Sequence, residues 1–173
     1  MDVQHLPAIT GNRGQEYKSS VIHLRTRLKY SEIHPHATSV LVAAVLERAV
    51  ARRPPFYVVV TDNALIWTMA YSAHPERQTV FETTIARLGL RHGRIPKGSP
   101  WCNGFIERSN RPDNDACFHQ QTFTSTAERQ DMHRLWEMWY NVHRPHQGLK
   151  GLTPQAVFCR DYPYAAWPVA LTE

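Results

Sequence analysis

The alternation of apolar and polar positions changes period several times along the chain, and each change marks an element. Residues 2–6 are extended and closed by Pro7, and residues 17–24 (YKSSVIHL) and 27–34 (RLKYSEIH) form a hairpin around Arg25 and Thr26. From about Thr38 to Arg53 the apolar residues Val40, Leu41, Ala44, Val45 and Leu46 predict a helix, with basic residues in its last turn and Pro54 and Pro55 as a stop. FYVVVT (56–61) has no polar alternation and predicts a buried strand ending at Asp62. Residues 77–88 place Phe81, Thr84, Ile85 and Leu88 on one helical face, with Gly89 as a stop, and 90–95 predict a short strand. Ser125 and Glu128 have capping-box spacing and open a helix whose Met132, Leu135, Trp136 and Trp139 recur at core spacing. Thr153 and Pro154 start a last helix running through Phe158.

Strands first, then helices and strands alternating, predict an α/β fold, a mixed sheet with helices on its faces. No linker or repeat divides the 173 residues, so one domain over 1–160 is expected, followed by an irregular, proline-broken tail over 161–173. Apolar residues make up 42% of the chain, enough for a packed core. Three cysteines without close pairing argue against a disulfide framework, and no CxxC or HExxH spacing suggests zinc. No signal peptide or membrane-length apolar run is present, so a cytoplasmic or DNA-associated protein is expected. The formal net charge of +5 tilts the expected partner towards a polyanion.

Three acids occupy unusual settings. Asp2 lies in an extended stretch. Asp62 follows the most apolar strand, where open α/β sheets place their ligands. Glu107 falls one turn into a helix that Asn103 would cap, with Arg108 and Arg111 beside it. Each acid alone has an ordinary explanation, a turn cap for Asp62 and dipole compensation for Glu107. Convergent carboxylates would suit hard divalent cations and the two-ion chemistry of phosphodiesters.

MDVQHLP before a hairpin, then VVVTDN, then LGLRHGRIPKGSPWCNGFIERSNR, then YNVHRPHQGLKGLTP together resemble the integrase core of insertion-sequence transposases and retroviral integrases, over roughly residues 1–158. The resemblance implies an RNase H-like fold with a mixed five-stranded sheet flanked by helices. It implies a metal-dependent enzyme of DNA cleavage and strand transfer, with Asp2, Asp62 and Glu107 as catalytic, metal-binding carboxylates for two Mg²⁺ (or Mn²⁺) ions. It also implies DNA as partner, both element ends and target, a homo-oligomer, a nucleoid-associated location, and a separate DNA-recognition region upstream. His23 stands where relatives often have an Asp that is not a metal ligand, and is expected to be a structural strand histidine.

Several positions depart from that pattern. Ala64 replaces a Gly after TDN, which would be strained if the turn needs positive φ. Pro112 should end or bend the Glu107 helix. Glu107 follows Asp62 by 45 residues, longer than in retroviral integrases. Only Met1 precedes Asp2, which suggests a truncated product or fragment. The alternative function is therefore a remnant that binds DNA or another transposase subunit without turnover. Candidate DNA contacts are Arg94, Lys97, Arg108, Arg111 and Lys150, against the plainer reading of a solvated basic surface. Trp101 would pack beneath the Glu107 helix or stack on a base. Trp136 and Trp139 are expected in the core, and Cys102 and Cys117 as passive thiols. Asp113 and Asp115 are expected in a polar loop, with a D-x-D cation site as the alternative. Tyr140, Asn141, Arg144, Pro145 and His146 are read as a structural helix exit locked by hydrogen bonds.

Overall fold

A three-stranded antiparallel sheet opens the fold: β1 (Asp2–Leu6), β2 (Glu16–Ile22) and β3 (Lys29–His34), with Asp2 opposite Ser20 and Val21 opposite Tyr30. The structure is a computed structural model and describes residues 1–9, 14–52, 55–99 and 104–165. The remaining elements are α1 (Ser39–Arg52), β4 (Val58–Thr61), α2 (Val80–Arg87), β5 (Arg91–Arg94), α3 (Gly104–Asp113), α4 (Thr126–Val142) and α5 (Pro154–Asp161). β4 and β5 pair in parallel as a second sheet. The Met1 nitrogen donates to the Val60 carbonyl at 2.6 Å, which links the start of β1 to β4. The expected five strands are thus all present, with the backbone bonding divided between two ladders.

Alternation along β2 and β3 gives the first sheet two different faces. Val21 and Tyr30 join Val42, Val45, Leu46 and Ala49 of α1 and Phe81 and Ile85 of α2 in the larger apolar core. The buried stripe of α1 runs 42, 45, 46, 49, while Val40 is 59% exposed, so the helix faces the sheet with a stripe displaced from the one Val40 and Leu41 suggested. On the opposite face Leu6 and Ile33 pack with Cys117, Phe118 and Phe123, and Met132 and Trp136 of α4 lie against them. Trp136 therefore is core, but Trp139 is 41% exposed and stacks on Trp136 at 4.8 Å, and Leu135 is 58% exposed. The apolar arc of α4 is wider than the sheet it covers.

The second sheet is not buried on both sides. Val59 and Thr61 point inwards, whereas Val58 and Val60 are 47% and 37% exposed. The uninterrupted valine run concealed a two-faced strand, because α1 and α2 cover one side of it. Caps follow local chemistry. Thr79 and Glu82 form a full capping box on α2. At α4 the Ser125 side chain accepts from the Glu128 nitrogen, but the Glu128 carboxylate reaches back to the nitrogen of Thr124 instead (2.8 Å). Pro112 does not end α3; the helix runs to Asp113 and then widens into a π-turn over Asn114–Phe118. Pro54, expected as a helix stop, Trp101, Cys102, the expected cap Asn103 and residues 166–173 of the tail lie outside the described residues.

Candidate functional site

Where β4 ends, Asp62 turns the chain: its Oδ1 accepts from the Ala64 nitrogen at 2.9 Å. Asn63 ties this turn to β5 by donating to the Ile95 carbonyl at 2.9 Å. Among the described non-glycine residues only Arg27 and Lys150 have positive φ, so Ala64 carries none of the strain its substitution for Gly suggested. Trp67, three residues on, is 1% exposed and meets Phe81 edge-on, which anchors the turn in the main core.

Asp2 lies beside this turn because Met1 bonds β4. Burial raises the Asp2 carboxyl above its ordinary value, and the negative charge of Asp62 adds to the effect. The Met1 ammonium, lowered to about 6 by burial, feels both carboxylates. α3 reaches the same place: Asn110 Nδ2 donates to Asp2 Oδ2 at 3.0 Å. Glu107 precedes Asn110 by three residues, hence on the same helical face, but its side chain stands exposed in the first turn of α3. The structure thus brings Asp2 and Asp62 into electrostatic contact and sets the Glu107 helix against Asp2. Among the described residues no three of His, Cys, Asp and Glu come together as a metal-holding group. A half-buried carboxylate pair whose charges oppose one another is a donor set that suits a divalent cation.

The basic candidates divide into two groups. Arg94 donates to Thr68 Oγ1 at 3.0 Å and lies 5.7 Å from the Tyr71 ring, with Lys97 5.1 Å from the same ring. This half-exposed tyrosine meets both cations, and Asn63 bonds the carbonyl of Ile95, which lies between them in sequence. Arg108 and Arg111 are exposed on α3, and Lys150 is exposed in a left-handed turn after residue 149. His23 fixes the β2–β3 turn: its Nδ1 lies 2.9 Å from Thr26 Oγ1 and accepts from the Thr26 nitrogen at 3.3 Å. These bonds give His23 a structural part in the turn.

Beneath the site lies a buried set of charges that the sequence did not reveal. Asp113 is fully buried, pairs with both Lys18 and Lys29, and accepts from Trp136 Nε1 at 3.0 Å. Neither a polar loop nor a cation site describes it. Burial opposes its ionisation, but Lys29 and Lys18 outweigh that and hold the carboxyl far below its usual range. Lys29 also donates to the Ser109 carbonyl at 2.9 Å, so the network pins α3 to β2, β3 and α4. Burial pushes His133 down to about 3, and it bonds Ser31 Oγ at 2.7 Å. A second buried pair, Arg129 and Glu16 at 2.7 Å, ties α4 to β2. The role of Asn110 was equally unforeseen, although its spacing from Glu107 made its face legible. Cys117 is passive, its thiol raised to about 11 by burial.

The integrase core domain family matches residues 88–154, a stretch that includes Glu107, Asn110 and Asp113. No curated protein matches the chain. Several solved structures share its fold. The catalytic core domain of BIV integrase aligns with a TM-score of 0.63 at 20% identity, covering 93% of this chain and 92% of that one. The HTLV-2 integrase catalytic core domain, solved with magnesium in a trimeric form, gives 0.63 at 12% identity, covering 90% and 91%. A simian T-cell lymphotropic virus intasome in complex with PP2A regulatory subunit B56 gamma gives 0.68 at 14% identity; it covers 99% of this chain, which spans 55% of that one. No helix among the described residues is long and apolar enough to cross a membrane. The chain has the α/β, RNase H-like fold of the integrase catalytic cores it aligns with, and its residues 88–154 match the integrase core domain family.

Proposed function

We propose that the chain is the catalytic core of a DDE-type transposase or integrase, cutting DNA at an element end and joining the freed 3′-OH to a target strand. The observation that carries this reading is the pairing of Asp2 with Asp62 at the junction of the two sheets, with α3 bonded to Asp2 through Asn110 and presenting Glu107 from the same face. Asp2 and Asp62 would hold the metal ions and Glu107 would complete the set by a change of side-chain position in the first turn of α3. Two Mg²⁺ or Mn²⁺ ions held by these carboxylates would supply activation of the attacking oxygen and stabilisation of the leaving oxygen. The carboxylates act as ligands, so no covalent protein–DNA intermediate is needed. Arg94 and Lys97 around Tyr71, with Arg108, Arg111 and Lys150, present the cations that a DNA backbone requires. The magnesium in the HTLV-2 core and the intasome assembly of the simian viral protein support a metal-loaded, multimeric, DNA-bound working form.

A second reading is a core that binds DNA or another transposase subunit without turnover. The exposed position of Glu107, outside any three-ligand group among the described residues, favours it. One assay separates the two. The full chain is incubated with labelled duplexes and supercoiled plasmid in Mg²⁺ or Mn²⁺, beside Asp62→Asn and Glu107→Gln. Metal-dependent nicking or joining, lost in both variants, supports the enzyme. DNA binding with no metal-dependent product, or product indifferent to both substitutions, refutes it.

A further inference from the structure

The turn between β2 and β3 and the segment after α4 enclose a cleft of about 500 Å³ that plays no part in the carboxylate site. Its walls carry three arginines, Arg27, Arg108 and Arg144, and no aspartate or glutamate among the described residues lines it. The arginines are near enough to act on their surroundings as one positive field. Arg108 lowers the Arg27 guanidinium, for which burial is the larger cause, and Arg144 and Arg27 both depress His146, again after burial. Arg144 is laid against the Tyr140 ring at 5.5 Å, and the His146 ring meets the same tyrosine edge-on at 4.7 Å. A 2%-exposed tyrosine therefore sets the geometry of the cleft.

His146 Nε2 is buried behind the cleft wall with no hydrogen-bond partner among the described residues. Arg27 adopts φ +61, a left-handed conformation that costs about 1–2 kcal/mol for a residue other than glycine. The His23–Thr26 bonds hold that turn, and strain of this kind gathers where a side chain must be aimed.

The cleft is also near the carboxylates. Asp2 pairs with Ser20, and Ile22, which lines the cleft, lies two residues further along β2, roughly 7 Å at the usual strand rise. Arg108 follows Glu107 directly, on the neighbouring face of α3. Exposed Arg108, Gln147 and Gly148 form an open rim, which admits a polymer as well as a small ion.

We infer that this cleft is a phosphate-binding site in which Arg27, Arg108 and Arg144 hold a phosphodiester of a DNA strand running past the carboxylates. It rests on the reading of the chain as a DNA-handling core. A strand engaged at Asp2 and Asp62 offers further phosphates about every 3.4 Å along the duplex axis, so a second anchor two steps away fixes the register of the strand. The planar guanidinium fork suits bidentate phosphate contact.

The test is fluorescence anisotropy of two labelled duplexes of unrelated sequence against the full chain, over a salt series, in the absence of divalent metal. Arg27→Gln and Arg144→Gln are expected to weaken binding severalfold and equally on both sequences, and to lower the slope of log K against log salt by about 0.9 for each phosphate that is no longer neutralised. Arg144→Lys keeps the charge and is expected to recover most of the slope, which a merely structural loss would not do. Arg134→Gln, on the exposed side of α4, leaves both readings unchanged, and thermal melts identify any variant that fails to fold. Wild-type slope retained in folded Arg27→Gln and Arg144→Gln overturns the inference and leaves the proposed function standing. Inorganic phosphate seated in the cleft by NMR, with DNA affinity indifferent to these arginines, also overturns it, as a free-anion site. Absence of any DNA binding by the wild-type chain removes both. DNA binding through the cleft with no metal-dependent nicking supports this inference and refutes catalysis alone.

Discussion

Replacing Asp113 with alanine isolates the buried charge cluster. In the folded protein this one carboxylate faces two ammonium groups, Lys18 and Lys29, whose side chains are 0% and 1% exposed, and it also receives the Trp136 indole N–H. Without it, two cations remain in the interior, near the Phe118 and Tyr140 rings at 5.4 and 5.3 Å and the Ser109 carbonyl, and have lost their shared carboxylate partner. Breaking a buried ion pair by removing one partner costs about 3–5 kcal/mol. For a domain of this size 1 kcal/mol corresponds to ~2–4 °C in Tm, so the melting temperature should fall by roughly 6–20 °C. Urea unfolding followed by circular dichroism measures the loss directly.

An Asp113→Ala protein that melts within about 2 °C of the parent would show that the two lysines do not need this carboxylate. A triple variant, Lys18→Met, Lys29→Met and Asp113→Leu, separates charge from packing. Exchanging a whole buried ionic group for apolar residues is often neutral or stabilising by about 1–4 kcal/mol. The triple should therefore recover what the single change lost. A triple no better than the single would assign the loss to the π-turn after Asp113 and not to unpaired lysines. Because the folded Asp113 carboxyl is held below its unfolded value, its contribution is present above about pH 4 and disappears as pH falls through the folded value. Asp113→Ala should accordingly flatten the acid limb of the stability curve.

Three further changes test other parts of the framework. His133 is buried and lowered to about 3, so unfolding takes up a proton below its ordinary value near 6.5. Stability is then full above about pH 6.5 and lost as pH falls towards 3, and His133→Gln should reduce the slope between pH 4 and 6 by about 1.4 kcal/mol per pH unit in urea titrations at stepped pH, an unchanged slope refuting the assignment. Asn141 accepts from the Lys29 nitrogen and donates to the Lys29 carbonyl, both at 2.9 Å; Asn141→Ala should cost about 2–3 kcal/mol by leaving both buried backbone groups unpaired, and a loss under about 0.5 kcal/mol would mean that water replaces the side chain. Thr79→Ala removes the capping box of α2 and should cost about 1 kcal/mol in thermal melts, with no effect on the Asn141 or His133 results.

Much of the fold was legible because its elements obey local rules. The hairpin, α1, α2, α4 and α5 follow from apolar spacing, caps and breakers, with boundaries displaced by a residue or a few. Period failed where tertiary context decided burial. VVVT reads as a strand buried on both sides, yet one side of β4 is covered by α1 and α2 and the other is exposed. Trp139 has core spacing and lies beyond the edge of the sheet that α4 covers. The buried ions were illegible for a firmer reason. Lys18 and Lys29 sit on strands in positions where an exposed lysine is the ordinary expectation, and only the arrival of Asp113, 95 and 84 residues away in sequence, makes their burial tolerable.

That long-range pairing bears on the candidate site. The motifs around Asp62 and Glu107 are short and local, so their residues could be named in advance; the position of α3 relative to Asp2 could not. α3 is held from one side by Asn110 on Asp2 and from another by Lys29 on the Ser109 carbonyl and on Asp113. Ser109, Asn110 and Asp113 follow Glu107 within two helical turns, so the charge cluster sets how Glu107 and Arg108 are presented at the surface of α3. Its disruption should then impair DNA binding and any strand cleavage along with stability, whereas Thr79→Ala, which weakens α2 on the other face, should lower stability alone. Equal loss of DNA affinity in Asp113→Asn and Thr79→Ala proteins, each measured well below its own melting temperature, would break that link between the cluster and the site.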